Sequence, residues 1–105
     1  MTSAPITVLI EYRTLPDQVE RAVAELEALI ATVVAKEADC LGIRLLTDPE
    51  DPSRILLHEL WTSREAYLGP HFQTPHLQAF IAHAQTWFQG PPVIQFWLTK
   101  SEYSR

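Results

Sequence analysis

One cysteine, Cys40, is too few for a disulfide within the chain or for a cysteine-based zinc site. Glycine is nearly as scarce: the three residues, Gly42, Gly69 and Gly90, stand far apart. No glycine-rich loop can therefore cradle a phosphate, and no serine sits in a nucleophile elbow. Basic residues number 8 against 13 acidic ones, a net charge of −5. That balance argues against nucleic acid or an anionic membrane as the main partner, because both require a basic surface. No apolar run approaches the roughly 20 residues that cross a bilayer. The N-terminal stretch has no basic residues before its apolar run and meets Glu11 at once, so no signal peptide is expected. A cytoplasmic location is the default expectation.

What remains has the make-up of a folded domain. Hydrophobic residues make up 47% of the 105, enough for a core of moderate depth. One domain over residues 1–105, with its core at about 6–99, is the natural reading.

Ile6 to Arg13 alternates, with Ile6, Val8, Ile10 and Tyr12 on one side, as a strand does. Thr14-Leu15-Pro16-Asp17 opens a helix expected to run to about Ala38, with Val19, Val23, Leu26, Leu29, Ile30, Val33 and Val34 as its apolar stripe. Strands are expected over residues 41–46, 54–61 and 93–99, the first two joined by a turn-rich hairpin loop. Thr62-Ser63-Arg64-Glu65 reads as a capping box starting a short helix. Gly69-Pro70 interrupts it. Thr74 and Pro75 restart it, and Leu77, Phe80, Ile81, Ala84 and Phe88 form a new stripe.

The order βαββαβ favours a ferredoxin-like α+β fold: a four-stranded antiparallel sheet with both helices on one face. Strand three carries Leu56 and Leu60 on one side and Ile55, Leu57 and Trp61 on the other. Both sheet faces are therefore apolar, and the helices cover only one. A bare apolar sheet face implies a partner, so a homodimer through the open face is expected.

The polar residues of the helix-facing half are the candidates for chemistry. Positions 57, 59 and 61 share a face, so Glu59 and Trp61 point toward the helices. A glutamate there is either bound at the sheet rim or placed in a wet pocket. Trp61 is either core or the wall of an aromatic pocket. His71, in the break between helical pieces, is either a surface residue or a group able to take a proton near neutral pH. His76, in a helix's first turn, either bonds locally or takes part in chemistry. Tyr67 either anchors its helix or hydrogen-bonds a substrate oxygen. Phe80 and Trp87 form a stripe that is more often core than pocket, and Cys40 reads as a small buried hydrophobe. His71 and His76 are five apart across a proline, and His76 and His83 are two helical turns apart. Neither spacing is the i, i+4 pair that closes on one ion, so no metal is expected.

Four strings taken in order resemble the antibiotic biosynthesis monooxygenase family of dimeric α+β barrels, and its quinol monooxygenase-like members in particular. They are Glu11-x-Arg13-x-x-Pro16, Lys36-Glu37-x-x-Cys40-x-Gly42, Glu59-x-Trp61, and His71-Phe72-Gln73-Thr74-Pro75-His76. The resemblance runs from about Ile6 to Trp97. It implies a cofactor-independent oxidoreductase that oxygenates a quinol-like or polyketide-like aromatic with molecular oxygen, using no metal, flavin or haem. On it, His71 is the expected base, and Tyr67, Trp61 and His76 orient and hydrogen-bond the substrate oxygens. Glu59, Tyr12, Phe80 and Trp87 are the expected substrate-binding residues. The chain contains no asparagine, whereas the anthrone-oxidising and haem-degrading branches each use one. A non-catalytic module binding a small aromatic on the same dimeric scaffold is the alternative, because fold alone does not fix function.

Overall fold

The computed structural model describes residues 4–105, so residues 1–3 of the expected domain lie outside the described range. Strand β1 (Ile6–Arg13) leads to helix α1 (Val19–Lys36). Strands β2 (Cys40–Thr47) and β3 (Arg54–Trp61) follow, then helices α2 (Arg64–Leu68) and α3 (Pro75–His83) and strand β4 (Val93–Trp97). The sheet order is β2-β3-β1-β4, and every neighbouring pair is antiparallel. The architecture is the expected ferredoxin-like α+β fold, with its second helical layer divided into short pieces.

Alternation sets which side chains meet. Val8 pairs with Glu59 and Ile10 with Leu57 across β1 and β3, so these four share the helix-facing side. Val8, Ile55, Leu57 and Trp61 are buried there against Ala22, Leu26 and Val33 of α1. Val34, expected on that stripe, is instead 50% exposed, whereas Ala22, not counted on it, is fully buried. Among the described residues, no helix is long and apolar enough to cross a membrane.

Element ends differ from expectation for local reasons. Pro16 and Asp17 lie in a turn ahead of α1, closed by the Gln18 amide donating to the Leu15 carbonyl at 3.0 Å. At the other end α1 stops at Lys36, because Glu37 turns to extended backbone (φ −110°, ψ 99°). The expected capping box at Thr62 is displaced by one residue. Ser63 is the N-cap, and its hydroxyl accepts from the Ala66 amide at 3.0 Å. Thr62 is held elsewhere: its hydroxyl donates to the Asp39 carboxylate at 2.8 Å.

Thr74 caps α3 with Pro75 in its first turn, as expected. The helix then ends at His83 and tightens into a 3₁₀ turn, Ala84–Thr86. Phe88 is therefore not on the helix; it is buried through an isolated bridge between its backbone and Thr14.

Candidate active site

The broken second layer leaves a gap over the sheet. Between α1 and the pieces from α2 to α3 lies a cavity of about 470 Å³, within the range of small-molecule sites. Leu29, Ile30 and Val33 of α1 form one wall; Phe72, Leu77 and Phe80 face them. Ile10, Ile43 and Leu57 form the floor. Exposed lining residues mark the mouth: Ile81, Gln85, Gly90, Pro91 and Ile94. Among the described residues, no lysine or arginine lines the cavity, which disfavours anionic ligands.

Four buried polar side chains line the cavity: Tyr12, Glu59, Tyr67 and His71. Glu59 is 4% exposed and accepts a hydrogen bond from the Trp61 indole N–H at 2.8 Å. Among the described residues, none forms a salt bridge with it. Burial pushes its carboxyl up to about 7, with the Trp61 hydrogen bond acting against that rise and the charge of Glu37 adding to it. Burial likewise raises the Tyr12 and Tyr67 hydroxyls, and the nearby charge of Glu59 raises both further. Both therefore stay protonated at neutral pH and act as donors.

His71 sits in the 3₁₀ turn Pro70–Gln73 that joins α2 to α3 and is 5% exposed. Its ring packs 4.6 Å from the Trp61 ring and 5.1 Å from that of Tyr67, measured between centroids. Its Nδ1 lies 2.9 and 3.1 Å from the two Glu37 carboxylate oxygens. Burial holds the imidazole below its usual range, with Glu37 opposing that shift. The ring is therefore neutral near pH 7 and able to accept a proton.

The expected site residues divide into two groups. Tyr12, Glu59, Tyr67, His71 and Phe80 line the cavity. Trp61, His76 and Trp87 do not. Trp61 is 1% exposed and backs the polar side chains through Glu59 and the rings of Tyr67 and His71. His76 turns to Glu37, with Nε2 at 2.6 Å from Oε2. Trp87 packs on Phe80 at 5.6 Å between ring centroids. Among the described residues, no group of three or more His, Cys, Asp or Glu side chains is arranged to hold a metal ion.

Glu37 is the residue that sequence reasoning gave no role, although it meets both histidines. One signal was available: an acid just past a helix C-terminus sits against the negative end of the helix dipole. A glutamate there has another task than ending the helix.

Solved structures share the architecture across nearly the whole chain. PA3566 from Pseudomonas aeruginosa is 27% identical, with a TM-score of 0.84 covering 96% of this chain and 99% of its own. Rv0793 from Mycobacterium tuberculosis is 24% identical, with a TM-score of 0.82 covering 96% and 100%. A conserved protein from Methanosarcina mazei Go1 is 18% identical, with a TM-score of 0.81 covering 92% and 94%. No curated protein matches the sequence. The family model for antibiotic biosynthesis monooxygenase matches residues 5–83, well over half of the chain, and the chain accordingly belongs to the antibiotic biosynthesis monooxygenase family.

Proposed function

We propose that this protein is a cofactor-independent monooxygenase that oxidises a quinol-like aromatic with molecular oxygen. One observation carries the reading: a buried imidazole held below its usual range, two tyrosines and a carboxyl all line one otherwise apolar cavity. The aromatic enters past Ile81 and Pro91 and lies between the α1 wall and Phe80. His71 takes the phenolic proton through Nε2, the nitrogen not facing Glu37. Tyr67 and Tyr12 hydrogen-bond the substrate oxygens. Trp61 fixes Glu59, and Trp87 supports Phe80, from behind.

The electron balance needs no added reductant. Ground-state oxygen reacts poorly with closed-shell neutral molecules, whereas a phenolate gives up one electron readily. The substrate anion reduces oxygen to superoxide, and the two radicals then join through a carbon–oxygen bond. A hydroquinone leaves as a hydroxyquinone, and the second oxygen atom leaves as water. The substrate supplies all four electrons.

The working unit in this reading is a homodimer joined through the open sheet face, where Leu60 is 37%, Trp97 55% and Val93 60% exposed. We read residues 1–105 as one domain. A free, buried thiol at Cys40 suits a reducing compartment, so we place the protein in the cytoplasm.

Oxygen uptake is measured with a panel of hydroquinones and anthrones, with chelator present and nothing else added. Uptake that depends on protein and is lost in His71→Ala supports the enzyme. Tight aromatic binding without turnover supports a non-catalytic binding module instead. A Soret band on haem titration would point to haem binding.

A further inference from the structure

Glu37 lies at the centre of a three-residue cluster. The carboxylate leaves the end of α1, meets His71 Nδ1 at 2.9 Å through Oε1, and meets His76 Nε2 at 2.6 Å through Oε2. The three side chains are 11%, 6% and 16% exposed, so water competes little for these contacts. An ionised carboxylate has only acceptor sites, so each ring nitrogen facing it carries the proton. For His71 that leaves Nε2 as the bare nitrogen, on a ring that lines the cavity.

We propose that Glu37 is a positioning residue that fixes His71 as its Nδ1-protonated tautomer, aims Nε2 at the bound molecule, and stabilises the imidazolium formed when a proton arrives. The proposal rests on the reading of His71 as the base. His76 occupies the second carboxylate oxygen and keeps the carboxylate from swinging away. A carboxylate with this placement acts as a charge partner for the base and holds its orientation, in the way that second-sphere acids orient general bases elsewhere.

The titratable groups around the His71 ring come from every element packed on it. They are Glu37 after α1, His76 on α3 and Tyr67 on α2, with Glu59 on β3 and Tyr12 on β1 lining the same cavity. Of these, Glu37 holds the imidazolium by charge and by hydrogen bond, whereas His76 opposes it.

The test is nitrogen NMR of the histidine rings in the ¹⁵N-labelled full chain. Wild-type His71 is expected to show a protonated Nδ1 and a bare Nε2 at pH 8. Glu37→Ala is expected to release the ring to a mixture of tautomers. Glu37→Gln, which removes the charge but keeps the shape, is expected to lower the His71 pKa by about one unit, a tenfold change in its protonation ratio. Glu37→Asp is expected to restore the wild-type tautomer. A wild-type ring protonated on Nε2 overturns the proposal without any variant, and so does a tautomer and pKa unchanged in Glu37→Ala and Glu37→Gln. These readouts do not depend on turnover. Absence of oxygen uptake with the expected tautomer would remove the oxygenase reading and leave the Glu37 assignment standing.

Discussion

The two faces of the sheet are built from the same strands and both carry apolar residues, yet they differ in how many they carry, in shape and in polar content. The helix-facing side forms a cavity open at one mouth. Its polar groups, Glu59, Tyr12, Tyr67 and His71, all line one cavity. The opposite side is open. Leu46, Leu60, Val93 and Trp97 are exposed there, among Arg44, His58 and Gln95. Hydrophobicity alone does not separate a ligand site from an association surface. Enclosure does, because a buried polar group must find a partner and therefore constrains what can bind beside it.

The strongest test of the concave side is its proposed base. His71→Ala is expected to lower oxygen uptake by about 10²–10⁴-fold, the usual contribution of a positioned general base. His58→Ala, on the open face, should leave the rate near wild type. Equal losses in both variants, measured as initial oxygen consumption, would erase the distinction between the faces.

Glu59 gives the next largest effect, and its sign can be worked out. Its folded pKa is raised from 4.5 to about 7, so the folded state holds the proton more tightly than the unfolded state. Its contribution to stability is intact below about pH 4.5 and is lost as pH rises toward 7. Glu59→Gln cannot titrate and still offers an oxygen to the Trp61 indole. Urea denaturation should find it more stable than wild type at pH 8 by up to ~3 kcal/mol, and about equal at pH 4. His71 contributes the opposite slope: its folded pKa is lowered, so stability is lost as pH falls below the unfolded imidazole value. Because the two slopes oppose each other, Glu59 is read from the difference between the wild-type and Glu59→Gln curves. A difference that does not change between pH 4.5 and 8 would show that Glu59 is better solvated than its 4% exposure implies.

Trp61→Phe follows in size. The ring contacts with Tyr67 and His71 largely survive, but Glu59 Oε1 loses its donor. A buried acceptor left without a partner costs about 1–3 kcal/mol, read as a shift in the urea midpoint. The loss should be larger at pH 8, where Glu59 is charged, than at pH 5. A loss independent of pH would assign it to packing alone.

How far the sequence predicts these features follows from the range of each interaction. Strand alternation and the stripe of α1 are local and strong, so β1, β3 and α1 could be read to within a few residues. The facing of Glu59 and Trp61 followed from period two alone. Caps are weaker: Thr62 and Ser63 offer the same chemistry one residue apart, and only the hydrogen bond of Thr62 to Asp39, 23 positions away, decides between them. The pairing of Glu37 with His71 spans 34 positions and with His76 39. No local pattern encodes it. Trp61 and Trp87 show the converse limit. Their bulk marks them as important but not as lining or backing a cavity, because that depends on where the broken second helical layer leaves its gap.

The smallest effect on the single chain is expected on the open face, and it sharpens the comparison most directly. Trp97 is 55% exposed, and its indole N–H reaches only the neighbouring Gln95 side chain, at 3.3 Å. Replacing it with glutamine removes little that the isolated chain uses, so monomer stability should stay within about 0.5 kcal/mol. In a dimer the same ring would be covered, and a tryptophan at the heart of an interface commonly costs 2 kcal/mol or more on truncation. Sedimentation across a dilution series should therefore show Trp97→Gln dissociating at concentrations at least tenfold higher than wild type, with Phe80→Leu, on the cavity side, leaving association unchanged. A wild-type protein that sediments as one copy at every concentration would leave the open face without the role proposed for it. The cavity argument would stand, because none of its polar contacts involves a residue of that face.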